Sequence, residues 1–152
     1  MRSIRLDRHF DLIVQLFSSF GYFETDEEDR TVLSNVSAML APDGWYVLDL
    51  INPTWLRKHF MPRTEKTTGT LTILEERTLT EEKVVKKLTL KDSASRQQHT
   101  FTESMRLFTL NKIGELLTKE GFVMERVIGN YLGEAFDEQA SPRMMLFCRK
   151  SP

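Results

Sequence analysis

The stretch from Phe10 to Tyr22, FDLIVQLFSSFGY, constrains this chain more than any other. After an acidic residue it runs through Leu12, Ile13, Val14, Leu16 and Phe17 with almost no polar interruption. That is the pattern of a strand covered on both faces, as strands of parallel sheets are. Ser18, Ser19 and Gly21 end it abruptly, with Phe20, Tyr22 and Phe23 between and after them. The chain therefore leaves the sheet through a loop carrying hydroxyls and aromatic faces. In open α/β sheets ligands lie beyond the carboxyl ends of such strands, which makes this loop the first candidate for a site. A core strand followed by a packed loop is the plainer reading of the same residues.

The segment after this loop completes a folding unit. Thr25 can cap a helix, Glu28 three residues later can reach back to it, and the acids Asp26 to Glu28 suit the positive end of the helix dipole. Val32, Leu33, Val36, Met39 and Leu40 recur at helical spacing and give one apolar stripe. Ala41-Pro42-Asp43-Gly44 has the composition of a type I turn, and Trp45 to Ile51 reads as a second buried strand. Strand, capped helix, turn and strand make a βαβ unit with parallel strands and a right-handed crossover. Asn52-Pro53 then supplies a cap and a first helical residue for a short helix through Trp55, Leu56 and Phe60.

From Gly69 to Phe108 the period changes to that of half-exposed strands. Leu71 and Ile73, then Val84 and Lys86 to Leu90 after a hairpin near Thr80 to Glu82, then Thr100 to Phe108, predict an antiparallel inset. Lys91 to Gln98 is its polar connection. Thr109 caps a second helix with Ile113, Leu116 and Leu117 on its buried face, and Gly121 is placed to end it in the left-handed conformation. Phe122 to Ile128 and Arg143 to Arg149 are the closing strands, the last returning antiparallel because the link Gly129 to Ser141 is too short for a helical crossover.

The 152 residues suffice for a single domain, 1–152, that buries about two thirds of its unfolded surface. The single cysteine, Cys148, lies in an apolar run and reads as a buried thiol, which suits the cytoplasm. A net charge of −1 gives no electrostatic case for nucleic acid, and the basic run Lys83 to Lys91 alternates with Val and Leu as a solvated strand face does. No apolar stretch approaches the roughly 20 residues that span a bilayer, so no membrane partner is expected. His9, His59 and His99 show no ligand spacing, and no metal site is expected.

FDLIVQLFSSFGYF, a helix ending in MLAPDGWYVLDLINP, MRLFTLNKIGELLTKEGF, and the closing YLGEAF and SPRMMLFCRK together resemble the carboxyl-terminal part of class I S-adenosylmethionine-dependent methyltransferases. The resemblance covers almost the whole chain. It implies a partial Rossmann-like α/β sheet in the family's order 4-5-7-6, its last strand antiparallel, with an inserted antiparallel sheet at about 69–108. By the same resemblance MRSIRL is the tail of the segment after the third strand. The first three strands, the glycine-rich loop and the acidic ribose contact then have no counterpart here. None of the seven glycines forms a GxGxxG. This predicts weak or no binding of S-adenosylmethionine by this chain alone. It also leaves strand 12–17 as an apolar edge that invites a homodimer or higher oligomer.

The resemblance places Leu16, Phe17, Ser18 and Phe20 on the methionine side of the cofactor pocket. Phe17 and Phe20 are otherwise core residues. Asn52, Arg106, Tyr131 and Arg143 match positions around the pocket of a small-molecule acceptor. Arg106 suits bidentate capture of an anionic acceptor, and for Arg106 and Arg143 alike the plainer reading is a surface ion pair. Tyr131 is otherwise a packed ring. Asp49, inside an apolar strand, is a weak catalytic candidate or a cap for the following turn. Three functions remain open: methyl transfer to a small molecule by an N-terminally truncated chain, a non-catalytic remnant serving as an oligomeric binding module, and one half of a split enzyme.

Overall fold

Helix α1 (Asp26–Met39) starts with the reciprocal cap written in its sequence. Thr25 Oγ1 accepts from the Glu28 amide at 3.3 Å, and the Glu28 carboxylate accepts from the amides of Glu24 and Thr25 at 3.0 and 3.3 Å. The helix joins β1 (Phe10–Gln15) to β2 (Leu40–Ile51), and the two strands pair in parallel with Ile13 opposite Tyr46 and Gln15 opposite Leu48. The computed structural model describes residue 4 and residues 6–151. The expectation for MRSIRL falls largely on residues 1–3 and 5, outside the described residues.

Two local expectations are corrected. The turn before Trp45 is not type I: Asp43 has φ 59°, which at the third turn position belongs to a type II turn. Pairing jumps from Phe10–Leu40 to Leu12–Trp45, so residues 41–44 loop out of a longer β2. Gly44 is required there, since a Cβ would lie 2.9 Å from the Ala41 carbonyl and 3.2 Å from that of Phe10. The second correction concerns β1, which is covered on one face only. Leu12 and Val14 are 54% and 52% exposed. The reason is one-sided layering: α1 and a later helix both pack on the face carrying Tyr46, Leu48 and Leu50.

Asn52 caps α2 (Pro53–Lys58) through its side chain, with Pro53 at the first helical position. The inset is a meander of four strands, β3 (Arg63–Thr68), β4 (Leu71–Leu79), β5 (Lys83–Asp92) and β6 (Gln97–Arg106), each antiparallel to the next. It begins a strand earlier than the alternation predicts. β3 reads RTEKTT, with no apolar residue to mark a face, and is held by its ladder to β4.

Thr109 caps α3 (Leu110–Lys119), accepting from the Lys112 amide at 3.2 Å, and Gly121 follows at φ 80°. β7 (Phe122–Ile128) and β8 (Arg143–Lys150) complete a sheet of order β1-β2-β8-β7, with β8 antiparallel to both neighbours. Leu33, Leu40, Tyr46, Leu48, Ile113, Leu117, Met144 and Leu146 are fully buried between this sheet and the two helices. Each such aliphatic residue contributes roughly 1.5–3 kcal/mol by leaving water. Gln15, the polar break in β1, is used inside this core. It accepts from the buried Tyr46 hydroxyl at 2.7 Å and donates to the Ser19 carbonyl at 2.9 Å. No helix among the described residues is long and apolar enough to cross a membrane.

Candidate functional site

Beyond β1 the backbone turns sharply, and two successive residues with side chains, Phe17 and Ser18, adopt the left-handed region at φ 57° and 54°. Non-glycine residues there cost about 1–3 kcal/mol each, so the surroundings must impose the conformation. They do so through one residue of β2. The Phe17 amide donates to Asp49 Oδ2 at 2.8 Å, and the Ser18 amide donates to the Asp49 carbonyl at 3.0 Å. The side chain of Ser18 is held as well, accepting from Arg143 Nη2 at 3.0 Å.

Asp49 is fully buried, on the face of β2 opposite the helices. An isolated carboxylate there is costly by several kcal/mol, and it is tolerated because four donors converge on it. Arg143, at the start of β8, reaches Oδ1 with Nε at 2.8 Å and Nη2 at 2.7 Å. Tyr131, in the link between β7 and β8, donates its hydroxyl to Oδ2 at 2.7 Å, beside the Phe17 amide. Burial raises the Tyr131 phenol above its ordinary pKa and the hydrogen bond to Asp49 adds to the shift, so it stays a donor at neutral pH. The cluster has no free base. It is a rigid anchor.

The anchor presents aromatic surface outward. Phe17 is 76% exposed, Tyr131 58% and the adjacent Leu132 86%, with the two rings 6.3 Å apart and the Arg143 guanidinium 6.0 Å from the Tyr131 ring. The link that carries Tyr131 is itself fixed. Asn130 Oδ1 accepts from the amides of Leu132 and Glu134, and Gly129 packs so closely on Ser141 that a Cβ would meet its Oγ at 2.1 Å.

Five sequence candidates thus come together at the carboxyl ends of β1 and β2: Phe17, Ser18, Asp49, Tyr131 and Arg143. Leu16 is half-buried in the same turn. Phe20 goes elsewhere, buried in the core with its ring 5.3 Å from that of Phe108. Asn52 is buried with its amide committed: Oδ1 caps α2, and Nδ2 donates to the carbonyls of Glu138 and Ser141 at 2.8 Å each. It braces the link that carries Tyr131. Arg106 is ion-paired to Asp26 and Asp29 of α1 and makes no ion pair within the cluster. Sequence reasoning missed Leu132 and Asp29. The signal for Asp29 was available, because it falls three residues before Val32 and four before Leu33, on the buried stripe of α1. Among the described residues no group of three or more His, Cys, Asp or Glu is placed to hold a metal.

No family model matches the chain. A 60-residue segment is 37% identical to a dTDP-3-amino-3,4,6-trideoxy-alpha-D-glucopyranose N,N-dimethyltransferase of Streptomyces venezuelae, covering 40% of this chain and 24% of that protein. Among solved structures, an S-adenosylmethionine-dependent methyltransferase from Clostridium acetobutylicum matches 99% of this chain and 62% of its own with a TM-score of 0.87 at 14% identity. The CcbJ methyltransferase from Streptomyces caelestis matches 99% and 61% with a TM-score of 0.83 at 13% identity. The sugar N-methyltransferase KedS8 from Streptoalloteichus matches 99% and 60% with a TM-score of 0.74 at 14% identity. The chain spans about three fifths of the length of these solved structures. It has, over that span, the fold of an S-adenosylmethionine-dependent methyltransferase.

Proposed function

We propose that this chain forms the acceptor side, and the methionine side of the cofactor site, of an S-adenosylmethionine-dependent methyltransferase acting on a small molecule. The observation that carries the reading is the Asp49 cluster, which fixes an outward aromatic shelf at the carboxyl ends of β1 and β2. In an open α/β sheet that is where ligands bind. The residues fit the cofactor's chemistry: the exposed faces of Phe17 and Tyr131 suit a sulfonium through cation–π attraction. S-adenosylmethionine supplies, when bound, a methyl group on that sulfonium.

Methyl transfer is an in-line displacement, so the protein's part is alignment and exclusion of water. Asp49 holds the turn and Tyr131 in register, and Arg143 holds Asp49. None of the three serves as a base, because each is already committed to the others. An amine nitrogen carries its own nucleophilic lone pair and suits such a site. The names of the relatives, an N,N-dimethyltransferase and a sugar N-methyltransferase, favour an amine acceptor.

The test is calorimetric titration of S-adenosylhomocysteine into the purified protein, with oligomeric state measured in the same buffer. The expected result is weak binding, in the high micromolar to millimolar range, lost in Phe17→Ala. A well-folded protein that binds nothing up to several millimolar overturns the catalytic reading.

That outcome would leave the second reading, an oligomeric binding module or half of a split enzyme. One observation favours it: β1 pairs only with β2 among the described residues and exposes Leu12 and Val14. A second copy pairing along this edge would make a homodimer. The free, buried Cys148 supports a cytoplasmic setting.

A further inference from the structure

The parallel pair of β1 and β2 is open on the face turned away from the helices, and parallel strands seldom leave a face open. Pairing sets Leu12 beside Trp45, and Val14 beside Val47 and Phe147. None of these five belongs to the cluster packed under α1 and α3, which takes the alternate residues Tyr46, Leu48 and Leu146. Leu12 and Val14 are more than half exposed, Trp45 and Phe147 are half-buried, and Val47 is buried in the centre. Toward the carboxyl ends of the strands the face stops at the Asp49 cluster.

Across β8 and β7 the same face turns cationic. Arg149 continues the row of Leu12 and Trp45, and Arg126 the row of Val14, Val47 and Phe147. The Arg149 guanidinium lies 4.5 Å from the centre of the Trp45 ring with its side chain 41% exposed, and Glu125 approaches it only to 4.0 Å. Arg126 is exposed and donates to a neutral acceptor, the Gly133 carbonyl, at 3.2 Å. An apolar strip with a guanidinium border along one side is a surface built for contact. Its size limits the occupant. Four strands ~4.8 Å apart and two rows of residues ~7 Å apart make roughly 250 Å². A stable dimer needs about 800 Å² from each partner, so a second copy stacked on this face alone falls well short.

We propose that this face docks one amphipathic helix of a partner polypeptide, with its apolar stripe on Leu12, Val14, Val47 and Phe147 and acidic residues along the flank that meets Arg149 and Arg126. The stripe of such a helix matches a strip two strands wide, and carboxylates beside it give the two guanidinium groups charged acceptors. The apolar contact supplies affinity, and the one-sided charge fixes which way round the helix lies. The inference rests on this open face alone, so binding or failure to bind S-adenosylhomocysteine leaves it untouched.

The probe is a synthetic helical peptide of about 14 residues, ~21 Å long, with leucines at helical spacing and glutamates along one flank of that stripe. A second peptide carries lysine for every glutamate, and a third has the first one's composition with the leucines spread around the helix. Each is titrated at low salt into the ¹⁵N-labelled protein and followed through the amide shifts and the Trp45 indole signal. The expected result is saturable shifts at Leu12, Val14, Trp45, Val47 and Phe147 with the glutamate peptide. Binding of the lysine peptide is weaker by about threefold or more, as two exposed charge pairs allow, and the third peptide gives no saturable shift. Arg149→Glu reverses the preference between the first two, and Val14→Lys abolishes binding, with Leu12→Lys in its place should that variant not fold. Equal affinity for the glutamate and lysine peptides, no saturable shift with either, or full affinity in the lysine variant overturns the proposal. So does concentration-dependent self-association that moves the same signals without peptide, which would make a second copy the occupant.

Discussion

Asp49 and Asp29 are both buried carboxylates, and they are satisfied to opposite degrees. Asp49 takes four donors, so its replacement by asparagine removes the charge that Arg143 and Tyr131 were placed to meet. Breaking such a buried pair costs about 3–5 kcal/mol. Asp49→Asn should lower the unfolding free energy by that order in a denaturant titration, and an unchanged midpoint would show that the pair contributes nothing net.

Asp29 sets the pH dependence. Its folded pKa is raised from 3.8 to about 6, chiefly by burial, with Arg106 opposing and Asp26 and Glu28 adding to the rise. Between about pH 7.5 and 5 the folded protein therefore takes up a proton that the unfolded chain does not, and stability increases as pH falls through that window. Asp26 does not cancel the effect. Its pKa is lowered, first by its hydrogen bond from Lys112 and then by that from Arg106, so its contribution is lost only in stronger acid. Melting temperature should rise from pH 7.5 to 5 in the native protein, and Asp29→Asn should flatten the profile.

At the scale of elements, the parts legible in the sequence are those whose signal is local. The Thr25–Glu28 cap, the Thr109 cap, Gly121 beyond α3 and the strand Phe122–Ile128 each depend on neighbours within a few residues, and each stands in the structure. Thr25→Ala should cost about 1 kcal/mol, visible as a lower melting temperature with the fold unchanged. β3 was not legible, because a polar strand held by backbone pairing leaves no pattern in its side chains. The exposed face of β1 was misread for a related reason: periodicity reports apolar residues without saying on which side the helices will lie. The site was half legible. Its five residues were named singly, but Asp49 and Arg143 are separated by 94 positions, and only the antiparallel return of β8 beside β2 brings them together.

The molecule as a whole is a well-buried sheet-and-helix layer with a lightly buried meander attached to it. In the inset strands only Thr89 is buried, whereas β2 and β8 contribute Tyr46, Leu48, Asp49, Leu50, Met144, Leu146 and Cys148 to the interior. The joint between the two is narrow. The Arg106 amide donates to the Gly21 carbonyl at 2.7 Å, its guanidinium bridges Asp26 and Asp29, and Phe108 packs on Phe20. Gly21 is needed at this joint, since a Cβ there would come within 2.9 Å of the Arg106 carbonyl and of the Phe108 ring. Elements with few buried apolar contacts open at lower free energy than the core they attach to. Hydrogen exchange should therefore be fastest in β3, intermediate in β4 to β6 and slowest in β2 and β8. Arg106→Ala should raise exchange through β6 and the 21–23 loop while leaving β2 and β8 protected. Equal loss of protection in both sheets would mean instead that the joint is part of a single cooperative unit, and that the inset is not free to move on its own.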